Sequence, residues 1–451
     1  MSALQIGATE KRPTLIGYLP PLEGIRKTGG NYAQHTRLIN SGDVAYAHAG
    51  ALLTSGRRFQ AWDFRMSAEE VNEKFSCVVF FVPCRIAPPP FDADGYAYSY
   101  ITSFIERLKI PFFSLGESVQ ARSYHYDSTL HQQLSKQVVR YLKVVADRSP
   151  IVGTRGNYSA EVLNDLGIFN AQPLGCPSLY VNGPELSETL LKVPSFPQRV
   201  SVCYSNYQGN AYSRIADILR MAEKQGFHYV EQMFGLVAQA LYYPGKITAQ
   251  DIHEARLIYQ DLNPLLKLLH KKHVRYFTSY TLWKEFLKSM DFSFGARMHG
   301  LTPAIHAGKP AMFIAHDARV REMCEFFDLP FVAEQDLPAT LDLEFFTSRC
   351  DYGGTRKRYR QVYQDFVSVL RRLDLAENFD GQNGILDQWT PPVDLEVIAE
   401  ESVVHCNTND VARLEQQILI SSDIPDEVFS KFSRVDDISR EGYIDRVSRR
   451  L

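Results

Sequence analysis

The sequence predicts a two-domain protein built on parallel α/β sheets. Three observations carry this. Short apolar runs alternate with amphipathic stretches of helical period along most of the chain, the pattern of strand–helix–strand units. At 451 residues the chain exceeds what one ordinary core accommodates. A stretch with Gly183, Pro184, Pro194 and Pro197 interrupts the alternation and reads as a linker. The expected boundaries are a first domain over 1–182, a linker over 183–198, a second domain over 199–373 and an extension over 374–451.

Composition narrows the class. Hydrophobic residues at 45% and charged residues at 22% are an ordinary globular balance. A formal net charge of −3 argues against a general nucleic-acid binder. No apolar run approaches the roughly 18 residues that a membrane-crossing helix needs. Met1 to Leu15 is polar and mixed, without a signal-peptide core. The seven cysteines are scattered, and none forms a Cys-x-x-Cys pair. Neither a zinc site nor a disulfide framework is indicated, and a reducing cytoplasm is expected.

In the first half, Thr14 to Tyr18 reads as a strand, followed by a Pro- and Gly-rich loop. Asn40-Ser41-Gly42-Asp43 precedes a helical stretch, Val44 to Leu53, and has capping chemistry. Cys77 to Val82 is a buried strand stopped by Pro83. Asp92-Ala93-Asp94 has the form of a metal motif, but its place after a Pro-rich loop reads as a turn with helix-capping acids. Tyr98 to Leu108 is a helix, Pro111 to Leu115 a strand, and Gly116 to Gln120 a turn at its end. Leu134 to Ala146 is a helix. Ile151 to Arg155 is a strand ending in an arginine, and Tyr158-Ser159-Ala160-Glu161 starts the next helix. Arg155 reads either as an anion-binding side chain or as a structural ion pair. Cys176, in Gly175-Cys176-Pro177-Ser178, reads as a buried or turn thiol.

In the second half, Arg199 to Tyr204 restarts the strands, with Ser205-Asn206 at its end. Tyr212 to Gln225 is a helix and Tyr229 to Gln232 a strand. His270 and His273 sit at a helix end and read as solvated rather than metal-binding. Val274 to Thr278 is a strand, and Leu282 to Met290 a helix. Phe292 to Ala296 is a strand with Arg297 and His299 at its carboxyl end. Gly300 opens a helix over Leu301 to Ala307, and Ala311 to Ala315 is the following strand. In parallel sheets ligands bind at carboxyl ends of strands, where a helix N-terminus attracts anions. Arg297 adds a charged fork suited to phosphate or carboxylate, and His299 a group able to move a proton near neutral pH. Val320 to Phe327 is a helix. Arg319 and Arg321 at its start oppose its dipole unless an acid or anion lies nearby. Pro330 to Val332 is a strand, and Arg356 to Leu373 a long basic helix packing back across the domains. Leu414 to Leu419, in the polar C-terminal stretch, reads as helical.

The ordered series Arg297-Met298-His299-Gly300, Ala307-Gly308-Lys309-Pro310 and His316-Asp317-Ala318-Arg319 resembles the polysaccharide pyruvyl transferase family. Arg155, Ser159-Ala160-Glu161 and Gly175-Cys176-Pro177-Ser178-Leu179 resemble it too, as do Asn40-Ser41-Gly42-Asp43 and Gln120. The resemblance covers about 14–373. Met298 stands where leucine is usual, and His316 where an aromatic is more usual. The resemblance implies two Rossmann-like domains in a glycosyltransferase-B-like arrangement. It also implies transfer of a pyruvyl group from phosphoenolpyruvate to a sugar, forming a cyclic ketal, in bacterial surface-polysaccharide assembly. His299 would be the acid and Asp43 the base. Arg297, Arg155, Met298, Gly300, Asn40, Ser205, His316 and Arg319 would bind substrate. No metal or other cofactor is required. The acceptor would be lipid- or nucleotide-linked or polymeric, which leaves open contact with the inner face of a membrane and assembly into a homo-oligomer.

Two other readings share this architecture. A nucleotide-sugar glycosyltransferase would use Arg297 for a diphosphate and His299 or Asp43 as base. A non-catalytic sugar-binding protein would show no turnover, and changing Arg297 or His299 would cost it nothing.

Overall fold

Strands that are apolar on both faces belong inside parallel sheets covered by helices. The runs Cys77–Phe81 and Ala311–Ala315 are buried along their whole length and take interior places in two such sheets. The computed structural model describes residues 14–17, 59–61, 66–81, 86–89, 95–121, 123–204, 213–232, 249–277 and 280–375, with single positions at 42, 49, 236, 237, 240 and 247.

The first domain runs β1 (Thr14–Gly17), β2 (Phe59–Ala61), α1 (Ala68–Lys74), β3 (Cys77–Phe81), α2 (Gly95–Arg107), β4 (Phe112–Glu117), α3 (Leu130–Gln133), α4 (Lys136–Arg148), β5 (Val152–Thr154), α5 (Asn157–Asp165) and β6 (Ala171–Pro173). Its strands form one parallel sheet in the order β2-β1-β3-β4-β5-β6. The second domain runs β7 (Val200–Val202), α6 (Ile215–Gln225), β8 (His228–Glu231), α7 (Ala249–Tyr259), α8 (Asn263–His270), β9 (Val274–Tyr276), α9 (Tyr280–Lys288), β10 (Phe292–Gly295), α10 (Met298–His306), β11 (Ala311–Ala315), α11 (Ala318–Phe327), β12 (Phe331–Ala333), α12 (Leu343–Thr347) and α13 (Gly353–Arg372). Its sheet is also parallel, in the order β12-β11-β10-β7-β8-β9.

The strand order of the second sheet reverses between β7 and β10. Neighbouring connections there leave on opposite faces, which opens a crevice at the carboxyl ends of those two strands. Arg297 and His299 follow β10 and stand at that crevice. In the first sheet the reversal falls between β1 and β3. Arg155 follows β5, two strands from it.

Several boundaries shift for local reasons. Helix α10 begins at Met298 rather than at Leu301, with Arg297 in extended conformation as its N-cap residue. Helix α11 begins at Ala318 because the Asp317 carboxylate accepts from the Val320 N–H at 2.8 Å. That carboxylate is also the acid that Arg319 needed at the helix start, whereas Arg321 pairs with Glu325 one turn further on. The stretch expected as one helix from Leu134 is α4 starting at Lys136, capped by Ser135, with the short α3 before it. Strands β2 and β6 and helices α1, α7 and α12 are additional to the expected elements, and α8 is the helix whose end was expected at His270.

Helix α13 returns across the molecule as expected. The Tyr359 hydroxyl donates to the carbonyls of Leu179 and Gly183. Tyr180 stacks on Phe366 with 4.5 Å between ring centroids. Arg356 and Arg360 pair with Glu188 and Glu185 of the segment between the sheets. Among the described residues no helix is long and apolar enough to cross a membrane.

Candidate functional site

Strand β10 ends where backbone meets backbone. Gly295 has φ +153°, and a side chain there would run into the Cys203 carbonyl at the end of β7. Only glycine lets the two strand ends approach so closely. The Arg297 N–H then donates to the Cys203 carbonyl at 3.3 Å, which fixes the turn into α10. Met298 points into the hydrophobic core. Gly300 lies against the Cys203 sulfur and the Gln232 amide, with no room for a side chain. His299, between them, is half-buried.

Strand β11 delivers the next group. His316 is buried, with Nε2 3.4 Å from the Asp317 carboxylate, and Arg319 reaches the same carboxylate oxygen at 3.3 Å. Burial lowers the His316 pKa to about 4; Asp317 pulls it up, while Arg319 and Arg297 press it down. Burial alone would raise Asp317, but His316, Arg319, the Val320 N–H and Arg297 bring it below its ordinary value.

The first domain supplies Arg155. Its backbone N–H donates to the Glu117 carbonyl at 2.9 Å, and its Nε donates to the Gly116 carbonyl at 3.0 Å. The residue is 1% exposed. Cys176, also from the first domain, places its sulfur 3.5 Å from His299 Nε2 and 3.0 Å from the Ser178 hydroxyl.

His299 is therefore where the two domains meet. Its pKa lies well below the ordinary histidine value, first because of burial and then because of Arg155, Arg319 and Arg297. One imidazole sits in the field of three guanidiniums, one from the first domain and two from the second. Such a cluster suits an anion with more than one negative charge.

Of the residues singled out in the sequence, the structure brings together Arg155, Arg297, His299, His316 and Arg319. Gln120 is half-buried, and its N–H bonds the Ile86 carbonyl. Asn40, Asp43, Asp92, Asp94, Ser205 and the stretch beyond residue 375 lie outside the described residues. His273 packs against His228 with ring centroids 4.7 Å apart. Among the described residues no group of three or more His, Cys, Asp or Glu side chains could hold a metal ion.

Two buried carboxylates near the site were not singled out. Glu231, at the end of β8, accepts from the hydroxyls of Tyr229 and Tyr259 and from the Gln232 N–H. Glu322, on α11, accepts from Ser118 and Ser159 of the first domain. Glu322 carried a readable signal. It lies on the same i, i+4 row of α11 as Ala318 and Phe326, which are both buried.

A family model for polysaccharide pyruvyl transferase matches residues 89–318, just over half of the chain. No curated protein matches. Among solved structures, UDP-N-acetylglucosamine 2-epimerase from Rickettsia bellii is similar at 14% identity and TM-score 0.38, over 82% of this chain and 99% of that one. Alr3699/HepE from Anabaena, solved with UDP and glucose, is similar at 8% identity and TM-score 0.37, over 92% and 100%. The wall teichoic acid polymerase TagF is similar at 12% identity and TM-score 0.33, over 93% and 91%.

Proposed function

The chain belongs to the polysaccharide pyruvyl transferase family, and from that premise we propose that it moves the pyruvyl group of phosphoenolpyruvate onto two hydroxyls of a sugar. The products would be a cyclic ketal and inorganic phosphate. The acceptor would be a unit or precursor of a bacterial surface polysaccharide, reached from the cytoplasm. The observation that carries this reading is His299, which lies in the field of Arg155, Arg297 and Arg319 from both domains.

The chemistry fits those residues. Phosphoenolpyruvate carries a phosphate and a carboxylate, and guanidinium forks bind both classes of group. Burial, and then the three cations, hold the His299 pKa well below its ordinary value and favour the neutral imidazole. A multiply charged donor between them offsets their field and lets the imidazole take up a proton from solvent. Proton uptake is thereby tied to donor binding. His299 passes that proton to the methylene carbon, and C2 becomes electrophilic. One sugar hydroxyl adds at C2, the bond from C2 to the phosphate oxygen breaks, and the second hydroxyl closes the ketal. The two hydroxyl protons leave to a base and to the departing phosphate. Asp43 is proposed as that base, with Asn40 and Ser205 at the acceptor; the three lie outside the described residues.

The test is phosphate release from phosphoenolpyruvate with a panel of sugar acceptors, comparing the native protein with His299→Ala. Acceptor-dependent release that the variant loses supports both the reaction and the acid. Release that the variant retains keeps the reaction and removes His299 as its acid. Binding of a nucleotide sugar, with no binding of phosphoenolpyruvate, would replace this reading with a glycosyltransferase.

A further inference from the structure

Glu322 sits on α11, one turn after Arg319, and is 2% exposed. Its carboxylate leaves its own domain entirely. Oε1 accepts from the Ser118 hydroxyl at 2.9 Å and from the Ser159 hydroxyl at 2.6 Å, and Oε2 accepts from the Ser159 N–H at 3.0 Å. These partners flank Arg155 on both sides. Ser118 continues the β4 end whose Gly116 and Glu117 carbonyls hold Arg155. Ser159 lies in the first turn of α5, directly after it. Between them the carboxylate rests on Gly156, where an added Cβ would stand 2.9 Å from Oε2. The Ser159 oxygen is locked from the other side by the Val119 N–H at 2.9 Å. Nearby, the Ala318 N–H donates to the Ser123 carbonyl at 2.7 Å, and Arg321 lies over the ring of Tyr126.

A buried carboxylate costs desolvation, and a merely adhesive contact between domains would be made as well by apolar packing. What hydrogen bonds supply is a fixed geometry. We propose that Glu322 is a positioning residue, holding Arg155 of the first domain at a set distance from Arg319 and His299 of the second. Both carboxylate oxygens are engaged by serines, so Glu322 acts through the arginine and not on the substrate. The inference rests on the donor assignment above.

The test is a double-mutant cycle on donor binding, with Glu322→Gln, Arg155→Lys and the double variant. Binding of phosphoenolpyruvate is measured by calorimetry, and inorganic phosphate is the second probe. The amide keeps the volume of Glu322 but removes its charge and replaces one of its two acceptor oxygens with a donor. In the native background Glu322→Gln should weaken binding about tenfold, the size of coupling carried by a packed polar network. It should raise KM for the donor with little change in kcat. In the Arg155→Lys background the same change should do almost nothing. Equal effects in both backgrounds, or none in either, would overturn the proposal. Should Glu322→Gln not fold, Ser159→Ala takes its place in the cycle. If the native protein binds phosphate but not phosphoenolpyruvate, the donor assignment fails and the cycle is decided on phosphate. Binding of neither overturns both.

Discussion

The Cys176 sulfur and His299 Nε2 approach to 3.5 Å across the boundary between the two domains. The histidine that the second domain presents at the end of β10 is thus met by a side chain from the segment after β6. Neither domain builds the surroundings of His299 alone, and activity should depend on residues of both.

Removing the imidazole tests its role directly. His299→Ala should lower kcat for phosphate release about 10²- to 10⁴-fold, the usual contribution of one positioned proton donor. Its KM for phosphoenolpyruvate should stay within a fewfold of native, since the three guanidiniums remain. Steady-state kinetics with a productive acceptor measures both. A rise in KM alone, with kcat intact, would make His299 a binding group.

The charge around His299 makes a titration prediction. Arg155 is the largest electrostatic contributor holding its pKa down, after burial. A cation nearby disfavours the charged imidazolium, so removing it must raise the pKa. Arg155→Gln should move the His299 titration upward, toward the ordinary histidine range. Ring-carbon NMR can follow it, with the resonance assigned by its loss in His299→Ala. Adding phosphoenolpyruvate to the native protein should shift it in the same direction.

Much of this cluster was legible in the sequence, and the reasons are local. Arg297 and His299 follow an apolar strand and open a helix, a pattern that by itself locates the carboxyl end of a parallel strand. Arg155 ends another such strand. Asp317 entered only through the family series; its capping of α11 was missed, because the helix was expected to start at Val320 and starts at Ala318. What was not legible depends on contacts far apart in the chain. Glu322 meets Ser159 across 163 residues, and no periodicity names the partner of a buried acid. Cys176 read as a buried or turn thiol, and it is buried, but nothing local places it beside a histidine 123 positions later. Strands β2 and β6 are three residues each, too short for an alternating pattern to register.

Two buried acids set how stability should vary with pH. Burial pushes Glu322 up to about 7, against the pull of Ser159, Ser118 and Arg155. Burial pushes Glu334 up to about 8, against an Arg214 backbone bond. Both start from 4.5. The folded protein therefore holds these protons more tightly than the unfolded chain. That contribution is full below the unfolded value and is lost as pH rises through the folded ones. His228 and His316, lowered to about 4, and His273 and His299, also lowered, work the other way, chiefly as pH falls toward and below their unfolded value of 6.5. Between about pH 7 and 8.5 the glutamates should dominate, so the thermal midpoint should fall as pH rises. Glu322→Gln should flatten that slope. A midpoint that rises over the same window would contradict both assignments.

Gly300 gives a prediction about packing under the site. A Cβ there would overlap the Cys203 sulfur and the Gln232 amide nitrogen. The amide belongs to a flexible side chain and can swing aside; the sulfur sits on a short one, next to the end of β7. Gly300→Ala should therefore destabilise the protein by about 1–3 kcal/mol, the usual cost of overfilling a packed interior. Because the clash lies in the first turn of α10, it should also displace His299 and lower activity beyond what the lost stability explains. Cys203→Ala removes the sulfur and opens space at that point. Combining the two changes should recover part of the stability, giving a non-additive pair of the kind expected for residues in contact. Thermal unfolding of the two single variants and the double variant measures this. Strict additivity would mean that the strain arises elsewhere, with Gln232 as the next side chain to shorten.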